Sequence, residues 1–187
     1  MAIAREDAAR ALEDAAEAAG RSQRLAGYRG ASGFLLLWGV IWGIGDLVSY
    51  VDGRAGQWTW LAGDIIGAMG SILLGLRLKA NRADLSPRGR IAAPLLIMSA
   101  IVLFATGVGI VSPLRSMAQA QAVGGLTVGC AYIAMGAVRG VRIAAIGAAM
   151  VVITLGGWVF AHEQFMLWMA LAGGGGLLLG GLWLRTV

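Results

Sequence analysis

Residues 58–77 read WTWLAGDIIGAMGSILLGLR, and these twenty positions set the terms for the rest of the chain. Two tryptophans open the stretch, Arg77 closes it, and what lies between is apolar or small apart from Thr59, Asp64 and Ser71. A helix needs about 20 such residues to cross the hydrocarbon of a bilayer. An aromatic at one boundary and a cation at the other anchor helices of this kind. Gly63, Gly67, Ser71 and Gly75 recur at every fourth position, so at 3.6 residues per turn they form one stripe of minimal side-chain bulk. The stripe predicts close contact with a second helix. Asp64 stands apart, because a carboxylate inside an apolar span requires a partner or water.

The whole composition follows this stretch. With 58% hydrophobic and 13% charged residues and a mean hydropathy of +0.76, the 187-residue chain is far more apolar than soluble domains are. After residue 32 there is room for six spans and little else, which leaves no space for a soluble catalytic domain. The spacing predicts an all-α, polytopic membrane protein with spans at about 33–51, 58–76, 91–111, 119–138, 143–161 and 165–184. Residues 1–32 form a separate alanine-rich, charged tail, expected to be a solvated helix that Gly20 stops. Five arginines and five acids cancel there, and the segment is too acidic to be a signal peptide.

The net charge of +5 is distributed as a topology signal. Arg21, Arg24, Arg29, Arg77, Lys79, Arg82, Arg88, Arg90, Arg139, Arg142 and Arg185 flank one set of span ends, whereas the other set has only Arg54 and Arg115. The positive-inside rule then places both termini in the cytoplasm and the chain in the cytoplasmic (inner) membrane as a multi-pass protein. No basic motif interleaved with aromatics is present, so nucleic acid is not an expected partner.

Within this frame the spans pair into three antiparallel helical hairpins of like orientation. The link Asp52, Gly53, Arg54 is short enough to make spans one and two neighbours. A shift of 108 residues lays Trp60 on Trp168, Gly67 on Gly175 and Arg77 on Arg185, which reads as parallel pseudo-repeats. Gly125 and Gly129 in span four, and Gly176 and Gly180 in span six, extend the small-residue faces seen in span two. The bilayer is the first partner. Such faces also suit a second copy or a partner membrane protein.

Polar residues inside the spans mark the candidate site. Trp38, Trp42, Asp46 and Tyr50 follow one another at i+4, and three aromatic–ionisable pairs share that spacing: Trp42 with Asp46, Trp60 with Asp64, and Trp158 with His162. Asp46 and Asp64 lie roughly 8–9 Å inside the outer ends of their helices. Two carboxylates in a low-dielectric setting share a proton or a cation. The expected pocket is outward-facing and polar, made of Asp46, Asp64, Tyr50, Trp42 and His162 with Glu163 at its rim. It suits a cation, a proton or a small polar ligand. The structural alternative pairs Asp46 with Arg54 or Arg115, bonds Asp64 to a neighbouring helix, and leaves His162 and Glu163 as interfacial residues.

Other chemistries find little support. The single His and single Cys, Cys130, make no metal set, and no cofactor is expected. The run Gly173–Gly176 lies within a span with no Lys following, which excludes a phosphate loop. No nucleophile has a base in reach, so an enzyme is not expected. Two functions remain: binding or passage of a small ligand or ion, or a non-catalytic subunit or regulator that docks partners through its N-terminal helix and glycine faces.

Overall fold

The computed structural model describes residues 2–80, 103–104, 106–108, 110–111 and 114–186. The expected span at 91–111 and its cationic approach at Arg82, Arg88 and Arg90 lie almost wholly outside the described residues. Among the described residues the chain is 94% helical with no strand. Its elements are α1 (Ala2–Val51), α2 (Gly53–Ala80), α3 (Met117–Arg139), α4 (Val141–Phe160), and a last rod, His162–Trp183. That rod comprises a 3-10 turn at His162–Gln164, α5 (Phe165–Trp168), a π turn at Met169–Gly174 and α6 (Gly175–Trp183). Four of these helical stretches, Arg10–Val51, Gly53–Leu78, Val141–Phe160 and His162–Trp183, are long and apolar enough to cross a membrane.

Gly20 does not end the first helix. α1 runs unbroken for 50 residues, through Gly20, Gly27, Gly30 and Gly33. A glycine weakens a helix by about 1 kcal/mol relative to alanine but breaks no backbone bond, and the alanines and alternating charges around it favour continuation. At about 1.5 Å per residue the helix is roughly 75 Å long, more than twice a hydrocarbon core. Packing begins at Tyr28, inside the segment expected to be tail.

One face of α1 holds the bundle together. Tyr28, Ser32, Leu35, Gly39, Trp42 and Asp46 are all buried, and they alternate in spacings of four and three. This is the 3.5-residue seam by which two helices stay in register. The last rod lies antiparallel along it. A Cβ added at Gly174 would come within 2.7 Å of the Gly43 nitrogen and 3.1 Å of the Gly39 oxygen, so the two backbones touch. Lower down, Ser32 Oγ donates to the Gly181 carbonyl at 2.7 Å.

α2 covers the adjoining face of α1. Asp52 alone forms the link, its Oδ1 accepting from the backbone N–H groups of Arg54 (2.8 Å) and Ala55 (3.2 Å), an N-cap that starts the second helix. The contacts then pair bulk with hollow: Trp60 on Gly45, Ile41 on Gly63, Trp38 on Gly67, Leu37 on Gly70 and Leu74 on Gly33. Trp38 Nε1 also donates to Ser71 Oγ at 3.1 Å. A Cβ at Gly75 would meet nothing within 4 Å.

α3 and α4 form a second antiparallel pair around Gly140, whose φ of +116° lies where side chains are strained. Tyr28 fills the space where a Gly140 side chain would stand. Gly129 and Gly147 face one another along this pair, and Gly125 lies against Thr154. The last rod meets α4 through Gly176 on Ile153 and Gly180 on Ile146, while Trp168 covers Gly157 and donates from Nε1 to the Ile153 carbonyl at 2.9 Å.

The last rod differs from the regular helix expected at 165–184. Its π turn holds one more residue than an α turn and shifts the phase. From its last residue onward, Gly174 and Gly181, seven residues apart, face α1, whereas Gly176 and Gly180, four apart, face α4. Outside, Ile44, Leu61, Ile65, Ile66, Met69, Ile72, Val152, Leu155, Leu171 and Leu179 are exposed, an apolar exterior suited to lipid.

Gly174→Ala should therefore lower the thermal unfolding midpoint in mild detergent, by the 1–3 kcal/mol or so that overpacking costs. Gly75→Ala should leave the midpoint unchanged or raise it slightly.

Candidate functional site

Asp46 closes the buried seam of α1 and is 0% exposed. Its position follows from periodicity, since it lies seven residues beyond Gly39 and therefore within about 20° of it around the helix. The face that meets the last rod thus carries a carboxylate. Its Oδ2 accepts from Gln121 Nε2, near the start of α3, at 2.9 Å. Oδ1 is buried as well, with no hydrogen-bond partner among the described residues. The partner is an amide, not Arg54 or Arg115.

Aromatic rings wall this site on one side. Trp42, 6% exposed, meets Trp60 edge to face, with ring centroids 6.1 Å apart. Trp42 belongs to the same core as Phe165 and Met169, against which Ala118 and Ala122 of α3 pack. Gln121 stands at the edge of that inward face, about 60° round the helix from Ala118. Gln119, two residues earlier and about 200° round the helix, has a different task. Its backbone N–H bonds to Ser116 Oγ at 3.2 Å, and its Oε1 accepts from the Arg115 N–H at 2.7 Å.

The six residues expected to line one pocket divide by burial. Asp46 and Trp42 are buried together. Tyr50, Asp64, His162 and Glu163 are exposed. On α2 the residues facing α1 are Trp60, Gly63, Gly67, Gly70 and Leu74, and Asp64, one residue and about 100° round from Gly63, lies on the flank of that seam. His162 packs edge to face on Trp158, centroids 4.5 Å apart, and Trp158 in turn on Phe165. Among the described residues no group of three His, Cys, Asp or Glu side chains is placed to hold a metal.

A buried carboxylate with one oxygen unanswered is costly in an apolar bundle, and such groups need a counter-charge, a proton or a further donor. Asp46 Oδ1 is left as a hard oxygen donor that suits a proton or a small cation, while the Gln121 amide turns its N–H to Oδ2. Gln121 was not among the residues singled out by spacing. At the boundary of a span it resembles any interfacial amide, and only its phase relative to Gln119 sets it inward.

A second polar cluster, also not foreseen, lies at the Gly140 end. Arg142 stands over the rings of Tyr28 (5.7 Å) and Trp183 (5.3 Å), and its Nη1 is buried without a hydrogen-bond partner among the described residues. Arg185 Nε donates to Ser32 Oγ at 3.0 Å. No family model, curated protein or solved structure matches the chain.

Gln121→Leu should strand Oδ2 and destabilise the bundle by about 1–3 kcal/mol. Asp46→Leu placed on that background should recover part of the loss, because replacing both polar partners is milder than removing one. Thermal unfolding of the two single variants and the double variant measures this coupling.

Proposed function

We propose that the chain is a six-span protein of the cytoplasmic membrane, with both termini cytoplasmic, that takes up a proton or small cation at Asp46 from the outer side. The observation that carries this reading is the buried, unanswered Oδ1 of Asp46 in the interior of an otherwise apolar bundle. Two features support the orientation. Arg29, Arg142 and Arg185 share the Gly140 end of the bundle, where Tyr28 meets Gly140 and Ser32 meets Gly181, whereas Asp46 lies near the Asp52 end. To the four helical stretches long and apolar enough to cross a membrane this count adds α3 and the apolar stretch at 91–111.

Asp46 is the group that exchanges, and Gln121 positions it by holding Oδ2. Trp42 and Trp60 keep bulk water away from one side, which strengthens any charge interaction at the site. Asp64, Tyr50, His162 and Glu163, all exposed, act at most as an approach.

One observation favours the second reading, a subunit or regulator that docks other proteins. Between Arg10 and Ala26 every described side chain of α1 other than Gly20 is exposed, so this part of the helix extends beyond the packed bundle.

Reconstituted in liposomes with an imposed proton or monovalent-cation gradient, the wild type should dissipate that gradient. Asp46→Asn should slow the flux about tenfold or more, whereas Asp64→Asn should retain it. An unaltered flux in Asp46→Asn, with loss of cellular function on deleting residues 1–20, would favour docking.

A further inference from the structure

Between α4 and α6 an open groove of about 260 Å³ runs along the outside of the bundle, lined by Ala145, Ala149, Ile153, Gly176, Gly180 and Trp183 among others. It exists because both walls are shallow. Ala145 and Ala149 keep α4 low, and at the floor Ile153 and Ile146 sink into the hollows at Gly176 and Gly180. The lining is apolar throughout and faces outward, with Leu179 at 69% and Trp183 at 44% exposure.

The groove ends at a cation. Arg142 precedes Ala145 by three residues and Ala149 by seven, so it continues the same face of α4 beyond the groove. Its guanidinium stands 5.3 Å from the ring of Trp183, which lines the groove itself. Tyr28 holds the guanidinium from the other side. A guanidinium has five N–H donors in a planar fork matched to phosphate, and here Nη1 is buried with no acceptor among the described residues. Arg29 and Arg185 stand at the same end, and together they make it strongly positive.

An open apolar groove that leads to an arginine, on an exterior that is itself apolar, fits one occupant by charge and shape. We propose that this groove is a binding site for an anionic phospholipid, one acyl chain lying along Ala145 and Ala149 and the headgroup phosphate bonded to Arg142. Basic pockets between membrane helices recognise anionic headgroups in this way. The site is independent of Asp46, which lies towards the opposite end of α1.

Native mass spectrometry of the full-length protein, released from vesicles of equimolar phosphatidylglycerol and phosphatidylcholine, tests the proposal. The expected result is one retained phosphatidylglycerol, preferred about tenfold over phosphatidylcholine, a ratio that corresponds to 1.4 kcal/mol. Arg142→Gln should abolish the preference and Arg142→Lys should keep part of it. Ala149→Trp, at an exposed position that fills the groove from outside, should abolish retention while leaving the thermal midpoint unchanged. Equal retention of the two lipids would overturn the proposal. So would a phosphatidylglycerol preference that survives Arg142→Gln, or binding of inorganic phosphate at Arg142 with lipid retention indifferent to Ala149→Trp.

Discussion

The structure depends on how closely α1 approaches the last rod. From Tyr28 to Asp46 the buried face of α1 alternates in spacings of four and three, and at Gly39 and Gly43 it has no side chain with which to keep a neighbour away. Gly174 comes down on that gap, backbone against backbone. In a membrane, where helices gain little from hiding apolar surface from one another, such contact is the main source of association. The same seam has polar ends. Tyr28 and Ser32 mark one, Asp46 the other.

This geometry explains why a carboxylate is buried at all. Asp46 occupies the next position of the seam after Trp42, so the packing that joins α1 to the last rod also removes its side chain from the surroundings. One hydrogen bond from Gln121 answers one of its two oxygens. A bundle selected for stability alone would have an apolar residue here, since well-packed apolar groups commonly match or exceed buried polar ones. The retained acid, half satisfied, is the feature of this fold that asks for a functional reason. The Gly140 end differs in kind. There, cations lie at the edge of the bundle against aromatic rings, as befits groups that meet a headgroup region.

Composition makes the all-helical, membrane-compatible character legible, because no soluble core absorbs so much apolar surface. The reversal after span one is legible too, from the short link at Asp52, Gly53 and Arg54, although Gly53 and Arg54 belong to α2 and Asp52 alone forms the link and caps it. What escapes is phase. Residues four apart drift by about 40° at each step, so the series Trp38, Trp42, Asp46, Tyr50 winds off one face. Trp38 faces Ser71 on α2, Trp42 faces the core, and Tyr50 is exposed. Asp64 escapes for the same reason, one residue off the seam of α2. Gln121 carries no sequence signal apart from its phase against Gln119. The π turn is hidden because its glycines and alanines suit an α-helix equally well in composition. Gly20 shows the converse. A strong local stop signal is overridden when the helix on either side is continuous and unstrained.

The central claim is that Asp46 is an exchanging carboxyl group inside the bundle. Infrared difference spectroscopy of the reconstituted protein, with isotope-labelled aspartate and stepwise changes of pH and of monovalent cation, observes that group directly. The account predicts a carboxyl band that responds to one of these steps, disappears in Asp46→Asn and shifts in Gln121→Leu. A spectrum in which no band belonging to Asp46 responds to either step would contradict it.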